Sequence, residues 1–385
     1  MKKLSPRMRR WLEKRRRRSQ RTKREPTLGL VYGQNFYGLA RLPRPISKIP
    51  SVFCLDRNLA DVVNFLENLR HRLNNPPVSG TRSMESRVNS NGKSKGAPRW
   101  IAPYVDFCSI NQLTPTAALL LAAEYDRIRQ INKILHAGLG TFLLVNVELW
   151  KNEIFSLLLE IGFFDLLEIA DLDSQREDPD FRIIRMRSGR KNDPTEVDQL
   201  IEELERCFSE LSLSADDECF ELAGALGEAM ENVVRCAYPA GANFKYTHVG
   251  RWWMTGAIIK SERRMYVSIY DQGISIPGSL HAWEHYDSFK QRFLRFLGIE
   301  PDLTEPKYDG DVIKMAIEES RTSTGLEKHG KGLAHIQAFV DNCSDGRLRI
   351  VSRQGVYEYQ KGGVKKAYSL DTSIGGTLVE WVVRL

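Results

Sequence analysis

Glu228 and Asn232 stand four residues apart in a stretch, residues 216–237, where Leu222, Leu226, Met230 and Val233 recur at helical spacing. That spacing puts a carboxylate and an amide on one helical face, about 100° from the apolar stripe. Ala225 and Ala229 lie between the two faces and leave room for a ligand. A carboxylate can polarise water, and the pair supplies hard oxygen donors of the kind Mg²⁺ takes while keeping several waters. Plain solvated helix faces carry the same pattern, so it decides little alone. A second group follows an apolar strand over 265–270: Asp271, Gln272, Gly273, Ile274, Ser275, Ile276 and Pro277. An Asp at a strand's end presents an acceptor to a ligand's amino group, and Gly273 lets backbone approach a planar ring. The plain alternative is an ordinary turn. The third group is His329-Gly330-Lys331-Gly332-Leu333, opening a short helix to Val340. Gly330, Lys331 and Gly332 at a helix amino terminus offer backbone N–H groups, the helix dipole and a positive charge to an anion. Residues 325–331 also spell G-x-x-x-x-G-K, but Gly332 replaces the hydroxyl residue and no apolar strand precedes Gly325, which removes the P-loop reading.

These groups need elements to hold them. The 385 residues suffice for about two domains. Hydrophobic residues at 42% and charged residues at 27% give an ordinary globular balance. No apolar run reaches the roughly 18–20 residues of a membrane span, and the amino terminus has no apolar signal core. Six cysteines occur without a C-x-x-C pair, which argues for reduced thiols and a cytosolic setting. The net charge of +7 is concentrated: residues 1–25 hold thirteen Lys/Arg against two Glu, while the rest is mildly acidic.

The chain divides into four zones. Residues 1–26 form a basic tail, which reads as solvated and disordered; the other reading is contact with nucleic acid or an anionic membrane surface. Residues 27–190 read as a small α/β domain with a flexible loop at 76–99. Its expected elements are helices over 58–72, 116–137 and 149–161, strands over 101–107 and 142–147, and an added strand near 182–186. Residues 191–214 form a connecting helix, or the first helix of the second domain. Residues 215–385 read as α+β, with helices on one face of a mixed sheet.

The order Glu-x-x-x-Asn, Asp-x-Gly, a long intervening segment, Gly-x-Gly and then Gly376-Thr377 in a late strand resembles the GHKL ATPase superfamily of gyrase, heat-shock chaperone, histidine kinase and mismatch-repair proteins. The resemblance covers residues 215–385 and implies a Bergerat-type α/β sandwich binding ATP and Mg²⁺. It implies Glu228 as general base and Asn232 as Mg²⁺ ligand. Asp271 would read the adenine amino group, Gly273 would line the base pocket, and Thr377 would lie near the adenine. Gly330, Lys331 and Gly332 would hold phosphates. Residues 279–327 would form a lid, with Ser323 and Thr324 touching phosphate. Within the superfamily, residues 228–239 (EAMENVVRCAYP) and 271–277 look closest to bacterial anti-sigma-factor serine kinases, although Arg235 and Cys236 stand where those more often carry an acidic residue and His. None of the seven histidines lies in a phosphoacceptor context of the sensor-kinase kind.

Residues 105–110 (VDFCSI) followed by Thr114-Pro115-Thr116-Ala117-Ala118 resemble the STAS fold of anti-sigma antagonists, which would place Thr116 near the phosphoacceptor position; the other reading is a Thr-Pro helix start. Three functions compete. One is an ATP–Mg²⁺-gated regulator that engages a protein partner through its amino-terminal domain. Another is a serine/threonine kinase acting on a STAS-like domain, and the third a nucleic-acid-associated ATPase using the basic tail. His281 with His285 could hold a metal if helical, and Trp252-Trp253 reads as packing rather than base stacking.

Overall fold

The structure is a computed structural model, describing residues 28–32, 35–38, 49–74, 107–134, 149–166, 180–190, 192–210, 216–283, 286–297, 302, 304–322 and 332–384. The basic tail, the loop at 76–99, the expected strand at 101–107 apart from Phe107, the expected strand at 142–147, and Gly330, Lys331, Ser323 and Thr324 lie outside these residues. Phe107 itself opens a 3₁₀ turn, Phe107–Ser109, and is not in a strand. Among the described residues, no helix is long and apolar enough to cross a membrane.

A hairpin, β1 (Leu28–Tyr32) with β2 (Asn35–Gly38), comes first. Two short parallel strands, β3 (Val52–Phe53) and β4 (Gln112–Leu113), then flank α1 (Leu55–Asn74). Helix α1 buries Val62, Val63, Phe65, Leu66 and Leu69, and the Pro76-Pro77 pair that comes after it cannot extend a helical ladder. Helix α2 (Pro115–Ile134) starts where Thr114 predicts, with its carbonyl accepting the Ala118 N–H at 2.9 Å. Every residue from Ala117 to Ala123 is buried, so α2 is a central helix rather than an amphipathic surface one. Thr116, in its first turn, is 1% exposed. Helices α3 (Asn152–Glu160) and α4 (Phe163–Leu166) close this layer with Trp150, Phe163 and Phe164.

The remaining strands form one sheet. They are β5 (Phe181–Ile183), β6 (Arg187–Gly189), β7 (Trp252–Ile259), β8 (Arg264–Asp271), β9 (Asp345–Ser352), β10 (Gly355–Gln360), β11 (Val364–Ser369) and β12 (Thr377–Arg384). Their order is β11-β10-β9-β12-β8-β7, with β5 and β6 in succession along the outer edge of β7. All of these pairings are antiparallel, so the chain is α+β but the sheet is not the mixed one expected. The added strand near 182–186 therefore belongs to this sheet's edge and not to the amino-terminal layer.

Helices also cover both faces, which corrects the expectation of one. Helices α5 (Pro194–Glu210), α6 (Asp216–Asn232), α9 (Asp309–Thr322) and α10 (Gly332–Asn342) pack on Trp252, Met254, Val267, Ile269, Ile350 and Trp381. On the opposite face Trp253, Tyr270, Val351, Val356 and Leu378 join the cluster of α1, α2 and α3. The period of two along a strand explains the split, since neighbours such as Trp252 and Trp253 point to opposite faces and both are fully buried. Each such side chain contributes about 1.5–3 kcal/mol relative to exposure, so the amino-terminal helices are held by a substantial apolar contact. The helix expected over 191–214 is likewise a layer element: Val197, Leu200, Ile201, Leu204 and Phe208 of α5 pack on the sheet.

Candidate functional site

One cleft of about 1100 Å³ opens between α6, the carboxy-terminal end of β8, the start of β12 and the first turns of α10. Helix α6 buries Leu222, Leu226 and Met230 completely, which leaves Glu228 and Asn232 half-buried on the cleft side. The helix then widens into a π-turn, Val233–Ala237, a distortion frequent at functional sites. The Ala237 carbonyl accepts the Ile274 N–H at 2.8 Å, so the end of α6 clamps the loop after β8. A Cβ on Gly273 would overlap Ala237. Gly273 is thus needed for close backbone packing against α6, a tighter reason than approach to a ring.

Asp271 ends β8 and sits in register between Thr377 of β12 and Trp252 of β7. It is 4% exposed, and its Oδ1 accepts the Gly273 N–H at 2.7 Å. Burial pushes its carboxyl up to about 7 although backbone N–H groups of Gly273 and Thr377 pull the other way. Desolvation therefore wins, as it does for a carboxyl lacking a cationic partner. The Thr377 hydroxyl is hydrogen-bonded to Ser352 Oγ at 2.8 Å, and that oxygen also accepts the Ile276 N–H at 2.8 Å. Gly376 has φ of +149°, and a Cβ there would run into the Asp271 carbonyl. Gly376→Ala is expected to lower folding stability by more than about 1 kcal/mol, read as a lower urea midpoint at unchanged slope.

Of the predicted site residues, Glu228, Asn232, Asp271, Gly273 and Thr377 line this one cleft. Gly332 opens α10, whose Leu333 and Ile336 also line it. The expected lid at 279–327 is only partly free to act as one. Its α7 (Ile276–Ser279), α8 (Tyr286–Leu297) and α9 share a small core of Leu280, Phe289, Phe293 and Val312. Helix α9 is fixed to the sheet, because buried Asp309 takes both sides of the Arg353 guanidinium and the Gln354 N–H. His281 lies in a 3₁₀ turn, Leu280–Ala282, and His285 lies outside the described residues. Among the described residues, no three or more His, Cys, Asp or Glu converge as metal ligands.

The amino-terminal helices contribute a wall that no motif announced. Arg70 of α1 and Arg127 of α2 both line the cleft. Between them Glu124 of α2, fully buried, accepts from Arg70 Nε at 2.8 Å, Arg127 Nε at 3.2 Å and Gln272 Nε2 at 3.0 Å. Arg70 also donates to the Ile374 carbonyl at 2.9 Å and the Tyr270 hydroxyl at 3.2 Å. Burial alone would raise the Glu124 carboxyl, but the two guanidiniums hold it below the ordinary carboxylate range. The residue next to Asp271 is thereby tied to a helix 148 positions earlier. Tyr238 adds a further brace: its hydroxyl donates to the Arg251 carbonyl at 2.6 Å and accepts the Gln272 N–H at 2.8 Å. No protein-family model matches this sequence, and no curated protein matches it.

Proposed function

We propose that the chain is an ATP–Mg²⁺-binding regulatory protein of the GHKL type, in which nucleotide binding or slow hydrolysis gates a protein partner. The observation that carries this reading is convergence. Glu228, Asn232, Asp271, Gly273 and Thr377, drawn from a helix, two strands and the loop that follows β8, meet on one cleft in the order the resemblance requires. The residues also fit the group chemically. Asp271 keeps acceptor capacity in a desolvated position, where a purine amino group gains most from it. The Asn232 amide and Glu228 carboxylate are hard oxygen donors, too few to cage a metal alone, which suits an ion that takes phosphates and waters as its other ligands. Mg²⁺ would supply charge neutralisation on the phosphates.

The chain's own residues then have separable tasks. Asp271 and Thr377 orient the base, Asn232 presents an oxygen, and the first N–H groups of α10 face anionic groups. Glu228 accepts a proton from water. Through Gln272 and Glu124 the state of the Asp271 loop reaches α2, and with it the STAS-like region that would meet a partner. The kinase alternative loses its nearest target within the chain, because Thr116 is buried in the first turn of α2.

Calorimetric titration with ATP–Mg²⁺ tests the assignment, and heat of binding at micromolar to millimolar nucleotide is expected. Absence of binding to the native chain refutes it. With γ-labelled ATP, label should appear as free phosphate and disappear in Glu228→Ala; label on protein would replace the regulator with a kinase.

A further inference from the structure

Glu228 has a cross-helix partner that no motif includes. Helix α10 packs along α6 by burying Ile336, Phe339 and Val340 against Leu226 and Met230. His335 precedes Ile336 and so lies about 100° around the helix from it. His335 Nδ1 stands 3.4 Å from Glu228 Oε1. The neighbouring carboxylate, Glu231, is engaged differently: it pairs along its own helix with Arg235 at 2.7 Å. Among the described residues, His335 is the ionisable partner of Glu228.

A carboxylate only accepts, so this contact, longer at 3.4 Å than an ordinary N–H···O bond, favours the ring form with its proton on Nδ1 and leaves Nε2 as the second nitrogen. The imidazole is 59% exposed and the Glu228 side chain 34% exposed. A pair this open to water adds little to folding. Its effect is orientational: an unpaired Glu on a helix surface samples several rotamers, whereas a base must hold one aim toward the water it activates.

We propose that His335 is a positioning residue for Glu228, fixing Oε1 through Nδ1–H so that the other oxygen receives the water proton. This rests on the hydrolytic reading of the cleft. In that reaction the water oxygen bonds to the terminal phosphorus as its proton passes to Glu228. The bridging P–O bond breaks with its electron pair leaving on ADP, and phosphate and a solvent-bound proton complete the balance.

The test uses the full chain and three variants. His335→Ala should lower kcat about tenfold to a hundredfold, with ATP–Mg²⁺ affinity by calorimetry changed less than about twofold. In His335→Asn the amide nitrogen occupies nearly the place of Nδ1, so most of the rate should return; in His335→Gln, which mimics Nε2, it should not. Unchanged kcat in the alanine variant, or an asparagine variant as slow as it, overturns the proposal. An independent reading comes from the nucleotide-free protein. The His335 ring Cε1–H resonance, assigned by its loss in His335→Asn, should move when Glu228→Gln is introduced, and a stationary resonance overturns the pairing. Failure of the native chain to bind ATP would instead remove the hydrolytic reading, and with it the positioning role, while leaving the pairing itself to be judged by that resonance.

Discussion

Asp271→Asn is expected to weaken ATP binding about 10- to 150-fold while making the nucleotide-free protein more stable at pH 8. The first effect arises from replacing an anionic acceptor with an amide that turns a donor toward the purine amino group; a hydrogen bond to a charged group contributes about 1.5–3 kcal/mol. The second comes from the same burial. Asp271 has its folded value raised to about 7 from an ordinary 3.8. The folded chain therefore binds more protons than the unfolded one between those values. Stability conferred by the protonated form is complete below about pH 4 and is lost as pH rises through about 7. At pH 8 the shift corresponds to at most about 4 kcal/mol. Asparagine keeps an oxygen for the Gly273 and Thr377 N–H groups and carries no charge, so it recovers part of this. A gain of about 1–2 kcal/mol, or about 2–8 °C in thermal midpoint, is expected at pH 8 and none at pH 4. ATP affinity of the native chain should fall about tenfold from pH 8 to pH 6, as the carboxylate fraction does around a midpoint of about 7. The variant should lose that component of the pH dependence. Wild-type affinity in the variant, or a lower midpoint at pH 8, contradicts the role given to Asp271.

The sequence exposed those features that repeat locally. The apolar stripes of α1, α5 and α6 recur every three or four residues, so their helices were readable to within a few positions. Glu228, Asn232, Asp271 and Gly273 were readable because each belongs to a short motif on one element. The covering of the sheet was not. The run Trp252-Trp253-Met254-Thr255-Gly256-Ala257 reads as a strand buried on both faces, yet nothing in it says that α1 and α2 supply the second cover. Ser352 and His335 escaped for the same reason, since only tertiary packing brings them to Thr377 and Glu228. One signal of this packing is present in the sequence: Glu124 stands directly after seven apolar residues of α2 and is fully buried. A charge inside such a run needs partners, although their identity, at separations of 54 and 148 residues, could not be read from spacing.

Glu124→Gln is expected to cause the largest loss of folding stability of any single change of similar volume, about 3–5 kcal/mol. The substitution keeps shape and removes the one anion on which Arg70 and Arg127 both depend. Arg70 is 3% exposed and Arg127 is 1% exposed. Arg127 would remain with amide and carbonyl partners only, and Arg70 with the more exposed Glu67 carboxylate at 3.3 Å besides its carbonyl and hydroxyl partners. A buried cation that loses its buried anion costs far more than a missing hydrogen bond. Against a typical total of 5–15 kcal/mol this loss is large enough to destabilise α1, α2 and the sheet they cover together, as one cooperative unit. The opposite outcome is equally specific. If residues 27–190 were an independent module that only touched the sheet, the variant would unfold in two steps and leave residues 216–384 with native ATP affinity. The geometry favours the first result, because Arg70 also holds the Ile374 carbonyl just before Gly376 and Thr377, and Gln272 carries the same carboxylate's influence to Asp271. Urea unfolding monitored by tryptophan fluorescence, with ATP calorimetry on the same variant, distinguishes them: stability and affinity should fall together. Arg70→Met should cost the Glu124→Gln protein less than it costs the native one, since it removes a cation that has already lost its buried counter-charge. Additive losses in that double-mutant cycle would mean that Glu124 and Arg70 act independently, and that the cleft does not depend on the amino-terminal helices.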